Sequence, residues 1–213
     1  MTDANKVHDF RGVWVNRFLR KWQQALGWGH THKARISAKI FGIQLGAECQ
    51  FLGPPFFRRQ LNSTIVIGDF CRFRSAQRWG GQVGITRPCS IQTLRPGAEL
   101  IIGKYSGFSG TVVAAAERIE LGEHVLCGAN VTITDTDWHH APPAQRSDPN
   151  PPASPVKIGA NVWFGMNVIV LKGVTIGDNT VVVAGSTITR DLPANVIAGG
   201  QPAKVIRELS RGT

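Results

Sequence analysis

The chain has little with which to cross-link itself or hold a metal: 213 residues contain four cysteines, at 49, 71, 89 and 127, and none sits in a CxxC pair. That spacing excludes the usual zinc and thioredoxin-like sites and gives no sign of an oxidising compartment. No apolar run reaches the ~18 residues that a spanning helix needs. Met1-Thr2-Asp3 is not followed by the apolar stretch of a secretory signal, so the expectation is a cytoplasmic protein. Acidic side chains are scarce in the first half. Residues 1–100 carry 15 basic and 5 acidic residues, whereas residues 101–213 carry 9 of each. Such a basic half suits a nucleic acid, an anionic membrane or an acidic glycan. A nucleic-acid partner is not expected, because no recognisable module interleaves aromatic and basic residues.

What the sequence does have is a period. In the last third, apolar residues recur at every sixth position: Ile158, Phe164, Val170, Ile176, Val182 and Ile188. Ile158-Gly-Ala-Asn and Ile176-Gly-Asp-Asn lie eighteen apart, and the fourth position after each apolar one is small or branched: Val162, Val168, Val174, Thr180, Ser186. A six-residue period suits neither a heptad nor a simple alternation. It predicts an all-β solenoid in which each hexapeptide makes one short parallel strand and one corner, and three of them complete a coil. Gly and Asn are expected at corners needing positive φ, and β-branched residues on the flats. The register continues backwards, with slips, through Leu121, Cys127 and Ile133, through Ile102 and Phe108, and through Ile85 and Ile91 to Ile67 and Phe73. It places the cysteines inside, with Cys71 and Cys89 stacked in adjacent coils.

Two segments break the period. In residues 9–26, Trp14, Phe18, Trp22 and Leu26 form a stripe flanked by Arg17, Arg20 and Lys21. This predicts an amphipathic helix, either capping the open end of the solenoid or lying on an anionic membrane. Residues 134–157 hold six of the twelve prolines and open on Thr134-Asp-Thr-Asp-Trp-His-His140. So much proline stiffens a loop into an extended arm, and a loop of that length in a compact fold usually serves function. Ala203, Val205, Ile206 and Leu209 suggest a short closing helix. The expected organisation is thus a helical cap or docking segment over 1–40, a solenoid over 41–200 with its arm at 134–157, and a helical tail over 201–213.

Ile158-Gly-Ala-Asn-Val-Trp-Phe-Gly, Gly173-Val-Thr-Ile-Gly-Asp-Asn, Ala184-Gly-Ser-Thr-Ile-Thr-Arg-Asp-Leu-Pro and Gly200-Gln-Pro-Ala-Lys-Val-Ile together resemble the hexapeptide-repeat acyltransferases. Those include the galactoside, maltose and nodulation-factor O-acetyltransferases and the acetyltransferases of surface-polysaccharide pathways. The resemblance extends over about residues 83–209. It implies a left-handed parallel β-helix, against the usual right-handed crossover preference, with acetyl-CoA as cosubstrate, no metal, and a homotrimer whose sites lie between subunits. It also implies a catalytic histidine at the start of the arm with an arginine seven residues later. His139 with Arg146 matches that spacing, although a second histidine, His140, stands where proline is common.

The chemistry agrees with these residue types. A thioester is already activated, so the protein chiefly needs a base for the acceptor hydroxyl or amine, and a neutral imidazole suits the task at about a 10²–10⁴-fold gain. Asp137 or Asp135 is a candidate to orient the ring or bind the acceptor, and Arg146 to anchor the arm. By the resemblance, Trp163 borders the acceptor and pantetheine groove, and Ser109 contacts the acceptor. It likewise puts the Met166 amide near the thioester, Ala184 and Thr189 beside pantetheine, and Lys204 and Arg207 near the phosphates.

The expected activity is acetyl-CoA-dependent O-acetylation of a saccharide or saccharide-lipid of cell-surface polysaccharide biosynthesis. The alternatives are an N-acetyltransferase on a nucleotide amino-sugar and a non-catalytic scaffold. A zinc hydratase on the same coil would need three histidines, two of them five apart, which His124, His139 and His140 do not supply. The basic half, with Arg72, Arg74, Arg78, Arg87 and Arg95, is expected to make peripheral contact with anionic lipid, at the inner face of the membrane, or with a polyanionic glycan.

Overall fold

The computed structural model describes residues 10–77 and 84–209. One helix, α1 (Phe10–Ile40), precedes a run of short strands. These fall into three sheets of six, eight and six strands. The chain visits the sheets in rotation, and strands pair in parallel with the equivalent strand one coil away. The first sheet holds Gln44–Leu45, Thr64–Ile67, Glu99–Ile102, Arg118–Leu121, Val156–Ile158 and Thr175–Ile176. The second includes Gln50–Leu52, Arg72–Arg74, Gly107–Ser109, Leu126–Ala129, Trp163–Phe164 and Val181–Val182. The third runs through Phe56–Arg58, Ser90–Thr93, Val112–Ala115, Thr132–Thr134, Ile169–Val170 and Thr187–Ile188.

The sixfold pattern corresponds to this geometry. Ile158, Phe164, Val170, Ile176, Val182 and Ile188 are all buried, one on each flat of two successive coils, and so are the small residues between them. Every inward column is continuous. Leu45, Ile67, Ile102, Leu121, Ile158 and Ile176 stack on the first sheet. On the second, Phe51, Phe73 and Phe108 lie face to face with ring centroids 4.8 and 5.0 Å apart. Coil stacking at strand spacing brings rings to that separation without rotamer strain.

Gly and Asn divide the corner work between them. Asn161, Asn167, Asn179 and Asn195 adopt φ of 57–60°, and their side-chain amides form a ladder, Asn161 Nδ2 to Asn179 Oδ1 at 3.1 Å and Asn179 Nδ2 to Asn195 Oδ1 at 2.9 Å. The glycines one step after the apolar position have ordinary φ and serve another purpose. Gly46, Gly68, Gly103, Gly122, Gly159 and Gly177 line up at one corner, where a Cβ would run into the backbone of the next coil. In the coils 70–124 the left-handed corner position is filled instead by Phe70, Tyr105 and His124, at φ 58, 61 and 58°. Their rings stack on the outside at 5.0 and 4.9 Å.

Three sequence expectations need correction. Cys71 stacks on Cys49, not Cys89, because the sequence between Arg74 and Ser90 is longer than one hexapeptide and Cys89 enters the third sheet. All four thiols are free and buried; burial raises the pKa of Cys89 and of Cys127, and Cys71 Sγ and Cys49 Sγ donate to the carbonyls of Gly103 and Gly68 at 3.3 and 3.2 Å. The closing helix is a strand: Ala203–Glu208 turns back antiparallel on Val196–Gly200. The apolar spacing there fits either element, and the unpaired edge of Val196–Gly200 selects the strand.

The third concerns α1, which runs to Ile40, beyond the expected stripe. Its second half meets the first coil, where Ala34 and Ala38 are buried and Thr31 Oγ1 accepts from Phe51 N at 2.9 Å. That contact shields the edge of the second sheet. Trp14, Phe18 and Trp22 are exposed and take no part in it.

The glycine column yields a test by urea unfolding at fixed protein concentration. A Cβ on Gly122 would sit 2.7 Å from Ala160 N, so Gly122→Ala should lose about 1–3 kcal/mol. Gly29, on the helix with nothing within 4 Å, should gain about 0.5–1 kcal/mol on the same change.

Candidate active site

The arm leaves the third sheet after Thr134 and re-enters the first at Val156. Its base is pinned by Asp135, which is fully buried. The Asp135 carboxylate accepts the backbone N–H groups of Ala116, Glu117 and Arg118 at 2.6, 2.8 and 2.8 Å. Both oxygens thus hold the turn at 116–118, and the carboxylate lies buried at the base of the arm. Thr136 bridges Ala153 across the arm, and Arg95 donates to the Pro151 carbonyl.

Beyond this base the arm is exposed. Trp138 takes φ 67°, unusual for a bulky residue, and turns the chain immediately before His139. The His139 ring is exposed, with Nδ1 3.3 Å from the Arg146 carbonyl oxygen. A carbonyl only accepts, so Nδ1 carries a hydrogen, and in the neutral ring the lone pair is then on Nε2. The seven-residue spacing from His139 to Arg146 is thus used by the backbone of Arg146, through the short helix Pro143–Gln145 that ends there. His140 is held inside the arm, Nε2 2.9 Å from Asn150 O and 3.8 Å from Asp148 Oδ2. Asp137 is engaged by Lys172 at 2.7 Å, a partner that sequence spacing did not indicate.

Of the residues matched to a cofactor groove, Met166 and Ala184 lie at a different corner, between the second and third sheets. Trp163 points outward and is exposed, with Leu126 and Val181 on either side of it in register. Met166 and Ala184 occupy successive coils at this corner, where Gly185 N donates to Met166 O at 2.8 Å. Their own amide N–H groups meet no acceptor among the described residues. Gln201, which the sequence did not single out, reaches the same corner through Nε2 to Gly185 O at 2.6 Å.

Lys204 and Arg207 are exposed on the returning strand, and Thr189 is exposed just after Thr187–Ile188. Ser109 is buried, and its carbonyl accepts from Asn130 N. The structure therefore brings Trp163, Met166 and Ala184 together but leaves His139 a full sheet away.

Two hollows are lined by other residues than His139 and the Met166 corner. One of about 620 Å³ lies between α1 and the first coil, and one of about 220 Å³ lies under Trp138 at the arm base. Among the described residues no group of three or more His, Cys, Asp or Glu side chains is placed to hold a metal ion.

Residues 155–190 match the family described as bacterial transferase hexapeptide (six repeats). That match covers the later coils of the solenoid, from Val156–Ile158 to Thr187–Ile188. The sequence resembles the hexapeptide-repeat acyltransferases beyond that segment. It is 41% identical over 118 residues to the galactoside O-acetyltransferase of Escherichia coli (strain K12), an overlap of 54% of this chain and 56% of that protein. The chain therefore spans about half the length of this curated relative.

Among solved structures, a maltose O-acetyltransferase from Clostridium difficile 630 superposes with a TM-score of 0.55 at 24% identity, covering 95% of this chain and 90% of the other. A variant of AntD, an N-acyltransferase from Bacillus cereus in complex with dTDP-4-amino-4,6-dideoxyglucose and coenzyme A, gives 0.61 at 16% identity, covering 83% and 89%. These two neighbours share the fold with this chain.

The staple at the arm base can be tested directly. Asp135→Asn replaces an acceptor oxygen by a donor facing backbone N–H groups. It should cost about 2–4 kcal/mol in chemical unfolding and expose the 135–155 segment to limited proteolysis under native conditions.

Proposed function

We propose that the chain is an acetyl-CoA-dependent O-acetyltransferase acting on a saccharide hydroxyl, with His139 as general base. The observation that carries this reading is the His139 ring itself, held by the Arg146 carbonyl with Nε2 left as the basic nitrogen. The galactoside O-acetyltransferase relative and the resemblance of the repeats supply the substrate class. We take the acceptor to be a saccharide or saccharide-lipid of cell-surface polysaccharide assembly, and the coil to be left-handed as in the family it resembles.

The corner at Met166 and Ala184 suits an extended thiol ester: two backbone donors without acceptors among the described residues stand beside the exposed Trp163 ring, with Lys204 and Arg207 available for phosphate. Acetyl-CoA supplies the activated thioester there. His139 Nε2 takes the proton of the acceptor hydroxyl as its oxygen bonds to the acetyl carbon. As the carbon–sulfur bond breaks, the imidazolium returns that proton to the departing thiolate. The Met166 amide stands ready to donate where negative charge develops.

One chain holds the two halves of this apparatus at different corners, with the third sheet between them. We therefore propose a homotrimer in which the arm of one copy reaches the Met166 corner of its neighbour. Asp137, salt-bridged to Lys172, belongs to the arm's scaffold in this scheme.

Thiol release from acetyl-CoA, measured against a panel of saccharides, is the test. His139→Ala should lower turnover at least about a hundredfold at unchanged particle mass, and His140→Ala far less. Near-normal turnover by the His139 variant, or full activity from a monomer in sedimentation, would sink the mechanism. Activity confined to amino-sugar nucleotides would replace the oxygen acceptor by nitrogen.

A further inference from the structure

The helix α1 contains Arg11, Arg17, Arg20, Lys21, Lys33, Arg35 and Lys39 and not one acidic residue in its 31 positions. It also carries two apolar stripes that do not share a face. One seats it on the solenoid through Gly27, Ala34 and Ala38, all buried. The other is Trp14, Phe18 and Trp22, exposed at 73, 66 and 57%, with Val15 and Leu19 beside it, exposed at 56 and 45%.

At about 100° per residue, Trp22 lies roughly 160° around the axis from Ala38. Seating the helix by its alanines therefore turns the aromatic stripe away from the coil. Rotating the helix to bury the stripe would lose the Thr31–Phe51 bonds that shield the sheet edge.

We infer that residues 13–26 form a docking face for an anionic lipid bilayer, with Trp14, Phe18 and Trp22 entering the headgroup boundary and the basic residues beside them meeting lipid phosphate. Charge complementarity selects this occupant. A bundle of the same helices from several copies would bring many cations together with no acid in the helix to offset them, whereas an anionic leaflet supplies the countercharge. Aromatic residues on one face and lysine or arginine on the other is the pattern that holds a helix in the plane of the interface.

The long arginine run of the N-terminal half is a poorer candidate. Arg87 spends its guanidinium on the carbonyls of Gly110 and Asn130 and the hydroxyl of Thr132, and Arg95 on Pro151. Arg78 lies outside the described residues.

Co-sedimentation of the full chain with vesicles tests this without reference to acetyl transfer. Vesicles of phosphatidylcholine containing about a third phosphatidylglycerol should bind the protein at least about tenfold more tightly than phosphatidylcholine alone. Binding should weaken as salt rises from about 0.05 to 0.5 M. The triple change Trp14→Ala, Phe18→Ala, Trp22→Ala should reduce it at least about tenfold, with the unfolding transition of the solenoid unmoved. Arg17→Gln with Lys21→Gln should reduce it on the anionic vesicles only.

Equal binding by the triple variant, or none by the parent protein, would overturn the inference. So would a triple variant whose only change is a smaller particle mass, which would assign the stripe to a second copy of the chain.

Discussion

Every coil of this molecule depends on the coils above and below it for its backbone hydrogen bonds. Strands of two to four residues cannot hold themselves; what holds them is a parallel neighbour in register at about 4.8 Å. That spacing has to be met at the corners as well as on the flats, and the column from Gly46 to Gly177 shows where the demand is strictest. Once the corners are close enough, inward columns of one residue type follow with little further specification, and phenylalanine rings or aliphatic chains stack as they would in a crystal.

The same dependence explains which features were legible beforehand. From Ile158 to Ile188 the coils have no insertions, so sequence spacing and spatial spacing coincide and the interior can be read residue by residue. Upstream, the additions between Arg74 and Ser90 and between Thr134 and Val156 break that equivalence. Cys71 and Cys89 are eighteen residues apart in sequence, the length of one full coil, yet lie on different flats.

The C-terminal strand was misread because Ala203, Val205, Ile206 and Leu209 carry no period that separates helix from strand. What decides it is an open edge that only the assembled solenoid presents. Asp135 is similar. Nothing in Thr-Asp-Thr-Asp distinguishes the first carboxylate from the second, and the fold commits one to three buried amides and the other to Lys172. The contact of the His139 ring with a backbone carbonyl, where the sequence suggested an acid, could not be read from its distance in sequence to Arg146.

Function is distributed along the solenoid in a way that its uniform outline conceals. In the function proposed here, chemistry gathers around the interrupted coil at 134–156 and the corner at Met166 and Ala184. The N-terminal end is occupied by a helix that is uniformly basic where the later coils are charge-balanced. The early surplus of arginine is partly structural, since Arg87 and Arg95 tie loops to carbonyl groups. What the helix adds is a cationic surface far from the arm in sequence.

One edge of the prism changes character along its length. At the left-handed corner the residues pass from Phe70, Tyr105 and His124, whose rings stack, to Asn161, Asn179 and Asn195, whose amides bond in a chain. The first kind of contact draws on removal of apolar surface from water and weakens on cooling; the second does not share that dependence. The two halves of the edge therefore respond differently to temperature, and in the cold the aromatic half is the one that loosens first.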